Sequence, residues 1–222
     1  AARRSVRRSP DPPTRIGRWA CTGRGADLRD MGIGVMNADG SDQRPLASSP
    51  LSGTAPAWSP DGTLIAFSKW TPGPPTYHRD IAVIGSDGTG ERRLTKDTHS
   101  DVGPAWSPDG RRLAYVSFER GNSSIYIQDL STGSRELISS KKGINGGPSF
   151  SPDGSRLAMN LSFAGNPDIY IMDLASRSER RLTKARERIA LYPGEDARWH
   201  TLRRRLRRLH QQHNLLRRIA PA

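Results

Sequence analysis

The stretch PAWSPDGRRLAY, residues 104–115, decides how this chain is read. It sets a proline and an aromatic residue before Ser107-Pro108-Asp109-Gly110, then two arginines, then the apolar run Leu113-Ala114-Tyr115. Proline presets φ for the second position of a type I turn. Ser and Asp side chains bond the turn backbone, and Gly accepts the exit geometry. Strand-forming residues on both sides make the tetrapeptide a β-hairpin signal.

The pattern recurs. Ser-Pro-Asp-Gly also occurs at 59–62 and 151–154, at spacings of 48 and 44 residues. Each copy follows a Pro-x-aromatic step, ending at Trp58, Trp106 and Phe150, and precedes Ile65-Ala66-Phe67, Leu113-Ala114-Tyr115 and Leu157-Ala158-Met159. Further strand signals follow at Asp80–Ile84, Ser124–Gln128 and Asp168–Met172, and then at Arg93–Thr95, Glu136–Ile138 and Arg181–Thr183. Residues Ile33–Leu46 match Ile81–Leu94 at an offset of 48 and form the tail of an earlier unit. Repeats of this period with four short strands each are propeller blades. The expected fold is all-β: a partial β-propeller of four-stranded antiparallel blades, three blades plus part of one, over residues 31–184. Asp39-Gly40, Asp87-Gly88 and Thr132-Gly133 suit a second tight hairpin. Ser176-Arg177 lacks the glycine, so the last blade is expected to have a longer turn there.

A residue that returns once per blade serves the blade. Asp61, Asp109 and Asp153 are therefore read as turn residues, and Trp58, Trp106 and Phe150 as fillers between blades. The five histidines, His78, His99, His200, His210 and His213, are scattered and read as solvated loop residues. Asn37–Asp42 resembles a calcium loop only faintly. It lacks the closing Glu and recurs at Ser86–Glu91 as a turn. No Gly-x-Ser-x-Gly elbow, P-loop or His-Glu-x-x-His is present, and Cys21 is the only cysteine. The chain is expected to be no enzyme, with no catalytic residues, cofactor or metal, and no run of apolar residues is long enough to span a membrane.

Of the net charge of +13, +12 sits in the flanks. Residues 31–184 hold 12 Arg, 5 Lys and 16 acidic residues, whereas residues 1–30 hold 8 Arg against 3 acids and residues 185–222 hold 10 Arg against 3 acids. A folded nucleic-acid-binding domain carries its basic face on its structured part, so no nucleic-acid partner is expected for the blades. Residues 1–30 are expected to be an irregular Arg-rich flank. The tail 185–222 places Trp199, Leu202, Leu206, Leu209, His213 and Leu216 at alternating three- and four-residue steps among arginines. It is either a basic amphipathic helix, suited to a nucleic acid or a membrane surface, or out-of-frame sequence.

Three segments carry a resemblance: GPAWSPDGRRLAYVSFE at 103–119, GINGGPSFSPDGSRLAMNL at 143–161 and GNPDIYIMDLA at 165–175. They resemble the propeller of the TolB family of the bacterial Tol-Pal envelope system. The resemblance implies a periplasmic, non-catalytic scaffold for envelope integrity and cell division. It also implies a protein partner of the peptidoglycan-associated lipoprotein type, received at the mouth of the central channel. The chain crosses between blades through Lys96–Gly103 and Ser139–Gly147, which should gather at that mouth. Ile144, Asn145, Gly146 and Gly147 are the residues the resemblance carries over, with Asp101 and Val102 as counterparts in the preceding blade. Shaping of the loop by Asn145 and the glycines is an equal reading. A propeller fragment of a serine peptidase that has lost its catalytic domain is the alternative of another class.

The flanks use 18 Arg and no Lys, and after Thr183 no further Ser-Pro-Asp-Gly follows Pro193. Out-of-frame translation near residues 30 and 185 accounts for both features. Translating the coding DNA in its other two frames should show a new Ser-Pro-Asp-Gly blade beyond codon 185. If neither frame shows one, the tail is to be taken as the basic helix.

Overall fold

The computed structural model describes residues 18–24, 31–37, 41–46, 53–72 and 78–183. They form fifteen β-strands in four antiparallel sheets. Sheet I contains β1 (Arg18–Arg24), β2 (Met31–Asn37) and β3 (Arg44–Pro45). Sheet II contains β4 (Thr54–Trp58), β5 (Leu64–Thr71), β6 (His78–Gly85) and β7 (Arg92–Arg93). Sheet III contains β8 (Asp101–Trp106), β9 (Arg112–Ser117), β10 (Ser124–Asp129) and β11 (Arg135–Ser139). Sheet IV contains β12 (Asn145–Phe150), β13 (Arg156–Leu161), β14 (Asp168–Asp173) and β15 (Glu179–Arg181). In sheets II, III and IV the strands lie side by side in chain order, as the repeat predicts.

Residues 18–24 correct the expectation of an irregular N-terminal flank. They form β1, in full register with β2, and pair Ala20 with Val35. The same pair recurs as Ala66–Val83, Ala114–Ile127 and Ala158–Ile171. All four alanines are buried. The Arg-rich composition hid this strand. Residues 1–17, 25–30 and 184–222 lie outside the described residues, as do the tail's expected helix and three of the five histidines.

Alternation along the central strands gives sheets II and III two apolar faces each, and the faces of the four sheets interlock in chain order. Ala20, Ile33 and Val35 of sheet I share a core with Ile65, Phe67, Ala82 and Ile84 of sheet II. Ala66, Ile81 and Val83 of sheet II meet Leu113, Tyr115 and Tyr126 of sheet III. Ala114, Val116, Ile125 and Ile127 of sheet III meet Leu157, Met159, Leu161, Tyr170 and Met172 of sheet IV. The earlier sheet presents an alanine and β-branched residues, and the later sheet brings the longer side chains. Small against large lets two sheets approach closely without voids. Trp58, Trp106 and Phe150 pack at these three seams, as expected. The Trp106 indole Nε1 also donates to the Ala57 carbonyl at 3.0 Å, tying sheet III to sheet II.

The Ser-Pro-Asp-Gly turns behave as read. Gly62, Gly110 and Gly154 each donate a backbone N–H to the carbonyl of the turn's serine at 2.9–3.0 Å. Each serine hydroxyl bonds the turn's aspartate, and its oxygen accepts the N–H of the residue five positions on. These bonds hold the pKa of Asp61, Asp109 and Asp153 below the ordinary carboxylate value, the Ser–Asp bond being the largest cause. Carboxylates committed in this way act as turn locks.

Two expectations change. The Ser176-Arg177 turn is no longer than its counterpart: Asp173 N–H donates to the Ser178 carbonyl at 2.9 Å just as Asp129 N–H does to that of Ser134. Arg177 adopts φ of 59°, where Gly133 has 73°, so the arginine takes the glycine's left-handed place. The β5–β6 ladder runs two pairs further than the corresponding ladders of sheets III and IV, with Trp70 paired to Arg79 and Thr71 to His78. His78 therefore opens β6, half-buried 3.8 Å from Asp80, and is not a solvated loop residue.

Each inner strand carries a bulge, between Thr54 and Ala57, Val102 and Ala105, and Gly146 and Ser149. Its left-handed residue is Ala55 at φ 54°, Gly103 at 65° and Gly147 at 56°. An L-residue with a Cβ is strained there by about 1 kcal/mol. Ala55→Gly and Arg177→Gly are therefore each expected to raise stability by about 0.5–1 kcal/mol. Urea unfolding checks this. Gly103→Ala should move the midpoint the other way.

Candidate functional site

The antiparallel order brings the crossing loops and one set of hairpin loops to the same end of the sheets. In sheet III, Asp101 opens β8 opposite Ser117, and Ser117 lies opposite Ser124 at the start of β10. In sheet IV, Asn145 opens β12 opposite Leu161, which faces Asp168 at the start of β14. Residues 96–100, 118–123, 140–144 and 162–167 thus crown one end of the sheets, here termed the mouth end.

Most of the carried-over residues build this mouth, and one of them offers a side chain to solvent. Asn145 is fully buried. Its Oδ1 accepts from the Ser139 hydroxyl at 2.6 Å and from Lys141 N–H at 3.0 Å. Its Nδ2 donates to the carbonyls of Lys141 at 2.6 Å and Gly143 at 3.3 Å. Its backbone N–H reaches the Ser123 hydroxyl of the neighbouring sheet at 2.9 Å. Asn145 therefore laces the crossing loop to two sheets. Gly146 is buried, Gly147 forms the bulge, and Val102 packs half-buried on the seam between sheets III and IV. Asp101 is fully buried, and neither carboxylate oxygen has a hydrogen-bond partner. Burial pushes its pKa up to about 6, and Asp97 adds to the shift. The hydroxyls of Ser117 and Thr95 and the Arg135 guanidinium pull the other way.

Ile144 is the exception, 45% exposed at the tip of its loop. It is held there by two bonds with Ser162: Ile144 N–H donates to the hydroxyl at 2.7 Å, and Ser162 N–H donates to the Ile144 carbonyl at 3.1 Å. Gly143 beside it has φ of 88°, and a Cβ there would stand 2.5 Å from the Ser162 hydroxyl. Phe118 and Phe163, each 42% exposed, sit at this same end. Lys141 Nζ lies 4.1 Å from the centre of the Phe163 ring and bonds Glu179 at 2.6 Å. Sequence reasoning missed both phenylalanines. Their signal was an apolar residue just beyond the second strand of a blade, where polar loop residues are the rule. Arg135 braces the sheet III side, lying over Tyr126 at 4.6 Å and bonding Glu119 at 2.9 Å and Asp97 at 3.4 Å.

Among the described residues no group of three or more His, Cys, Asp or Glu side chains comes together to hold a metal. What the arrangement offers is a rigid rim with apolar points. The sequence profile of the TolB beta propeller domain matches residues 73–189, more than half of the chain. The chain belongs to the TolB β-propeller family. The Tol-Pal system protein TolB of Xanthomonas oryzae pv. oryzae is 58% identical over 133 residues, covering 60% of this chain and 19% of that protein. The chain thus spans about a fifth of the length of the curated relatives it matches. Two solved structures share the fold. A TolB from Agrobacterium tumefaciens superimposes with a TM-score of 0.69 at 22% identity, covering 81% of this chain and 61% of that one. TolB from Acinetobacter baumannii gives 0.61 at 24% identity, covering 81% and 41%.

Asn145→Ala removes four side-chain hydrogen bonds and strands the partners of a buried amide, so it should lower stability by about 2–3 kcal/mol. A lowered urea midpoint at unchanged m-value is the expected readout. A loss under 0.5 kcal/mol would show that the loop holds without it.

Proposed function

We propose that this chain is a non-catalytic protein-binding platform of the TolB type, acting in the periplasm and receiving a partner of the peptidoglycan-associated lipoprotein class at its mouth. One observation carries the reading. Three of the four exposed large apolar side chains among the described residues, Phe118, Ile144 and Phe163, stand at the mouth end. Apolar points on a polar rim are the usual anchors of a protein interface. Their backbone is fixed by strand ends and by the Ser162 and Asn145 hydrogen bonds, so little ordering has to accompany binding.

Within this reading the six carried-over residues divide their work. Ile144 touches the partner, while Asp101, Val102, Asn145, Gly146 and Gly147 hold the rim that presents it. Family membership supports the partner class and the compartment. The near-neutral charge of residues 31–184 agrees with a protein partner better than with a nucleic acid.

The test is binding of the full chain to a purified peptidoglycan-associated lipoprotein freed of its lipid. Ile144→Ser combined with Phe163→Ser should weaken binding at least about tenfold, since each truncated anchor removes on the order of 1 kcal/mol. The far-UV circular dichroism should stay unchanged. Affinity preserved within twofold in the double variant would remove the mouth from the interface.

A further inference from the structure

Asp101 and Asn145 occupy one position of the repeat. Each opens its inner strand. Each is preceded by the same rung, Phe118 N–H donating to the Ser100 carbonyl at 3.0 Å and Ser162 N–H to that of Ile144 at 3.1 Å. Each lies six residues past a buried hydroxyl, Thr95 just beyond β7 for Asp101 and Ser139 at the end of β11 for Asn145. The two crossing loops have the same length, and both residues are fully buried.

Their chemistry differs in one respect. Asn145 uses both halves of its amide: the oxygen accepts from a hydroxyl and a loop N–H, and the nitrogen donates to two loop carbonyls. The groups at the same offsets before Asp101 are the Thr95 hydroxyl, the N–H and carbonyl of Asp97 and the carbonyl of His99. An ionised carboxylate only accepts, so it has nothing to offer the two carbonyls. A protonated carboxyl regains one donor. In keeping with this, the Asn145 loop is fully laced while both Asp101 oxygens are without partners. Of the other buried aspartates of the mouth, Asp168 has both oxygens bonded, by Thr183 and Arg181, and Asp80 has one oxygen bonded by Thr71 and Arg93 while its other oxygen lies 3.8 Å from His78.

We propose that Asp101 is a proton-operated latch on the crossing loop 96–100, closing that loop in its protonated form as Asn145 closes the next one permanently. The groups that face Asp101 are Asp97 and Thr95 from the crossing segment, Tyr115 and Ser117 from β9, and Arg135 from β11. Arg135 is already engaged by Glu119 and Asp97, so it does not neutralise Asp101 as a partner of its own. The folded carboxyl titrates at about 6, against 3.8 for the ordinary group. The folded chain therefore binds the proton more readily than the unfolded chain, and folding gains as pH falls through 6 toward 3.8. Above pH 6 the buried charge disfavours the closed loop. The folding equilibrium constant should thus rise about tenfold between pH 8 and pH 5 from this group alone.

The experiment compares the full chain with Asp101→Asn by urea unfolding at pH 5 and pH 8. The variant should be more stable at pH 8, and its advantage should shrink about tenfold at pH 5. The reciprocal change Asn145→Asp should import the same dependence into loop 140–144, which keeps the proposal testable if one variant folds poorly. Carbon-13 NMR of the Asp101 carboxyl in the unaltered chain reads the titration directly. An advantage of Asp101→Asn that is equal at both pH values, or an Asp101 carboxyl titrating near 4, would overturn the latch.

Discussion

The structure rests on the interlocking of successive sheets. Sheets II and III bury an apolar face on both sides, so burial of one sheet depends on its neighbours. The alanine column Ala20, Ala66 and Ala114 lets the next sheet come close, and Phe67, Tyr115 and Met159 fill the space that the missing side-chain atoms leave. A larger residue in that column would push two sheets apart, and a smaller one opposite would leave a void. Either change costs on the order of 1–3 kcal/mol in a tightly packed core. The hairpin turns, bulges and crossing loops follow from that requirement, because they return the chain so that the next apolar face meets the last one.

The polar groups that survive inside this arrangement gather at the ends of strands, and the two ends use them differently. At the Ser-Pro-Asp-Gly end every buried hydroxyl is closed within its own turn, so each hairpin is locally self-sufficient. At the mouth end the bonds cross from sheet to sheet: Ser139 to Asn145, Asn145 to Ser123, and Gly103 to Ser68. The mouth is therefore a joint between blades, and its geometry depends on the seam beneath it. A binding surface held in this way is fixed before the partner arrives, which suits a platform whose contacts come from loops on a rigid frame.

The charge distribution fits the same picture. The folded stretch is nearly neutral, and its charges are used locally, as in Arg93 with Asp80, Arg181 with Asp168, and Arg135 with Glu119. Such pairs steady outer strands that have solvent on one side. Sheet III lacks the aspartate–arginine pair and has Ser124 and Leu137 in its place. Its outer strand is steadied instead by Arg135 lying on Tyr126.

Much of the fold was legible because it is written locally and repeatedly. A turn tetrapeptide, a strand period of two and a recurrence of 44–48 residues identify blades without reference to distant residues. The aromatic residues at the seams and the turn aspartates could be assigned for the same reason. What the sequence could not supply depended on contacts between sheets. β1 lies in Arg-rich surroundings, and it becomes a strand because β2 offers it a partner. Arg177 holds a left-handed turn because the β14–β15 ladder fixes the residues on both sides of it. The mouth shows the same division. The sequence by itself determined that loops 96–103 and 139–147 share one end, since strand direction alternates. Only the tertiary structure decided that Ile144 turns outward beside Phe118 and Phe163 while Asn145 and Asp101 turn inward, because burial of a side chain is set by what the neighbouring sheet places over it.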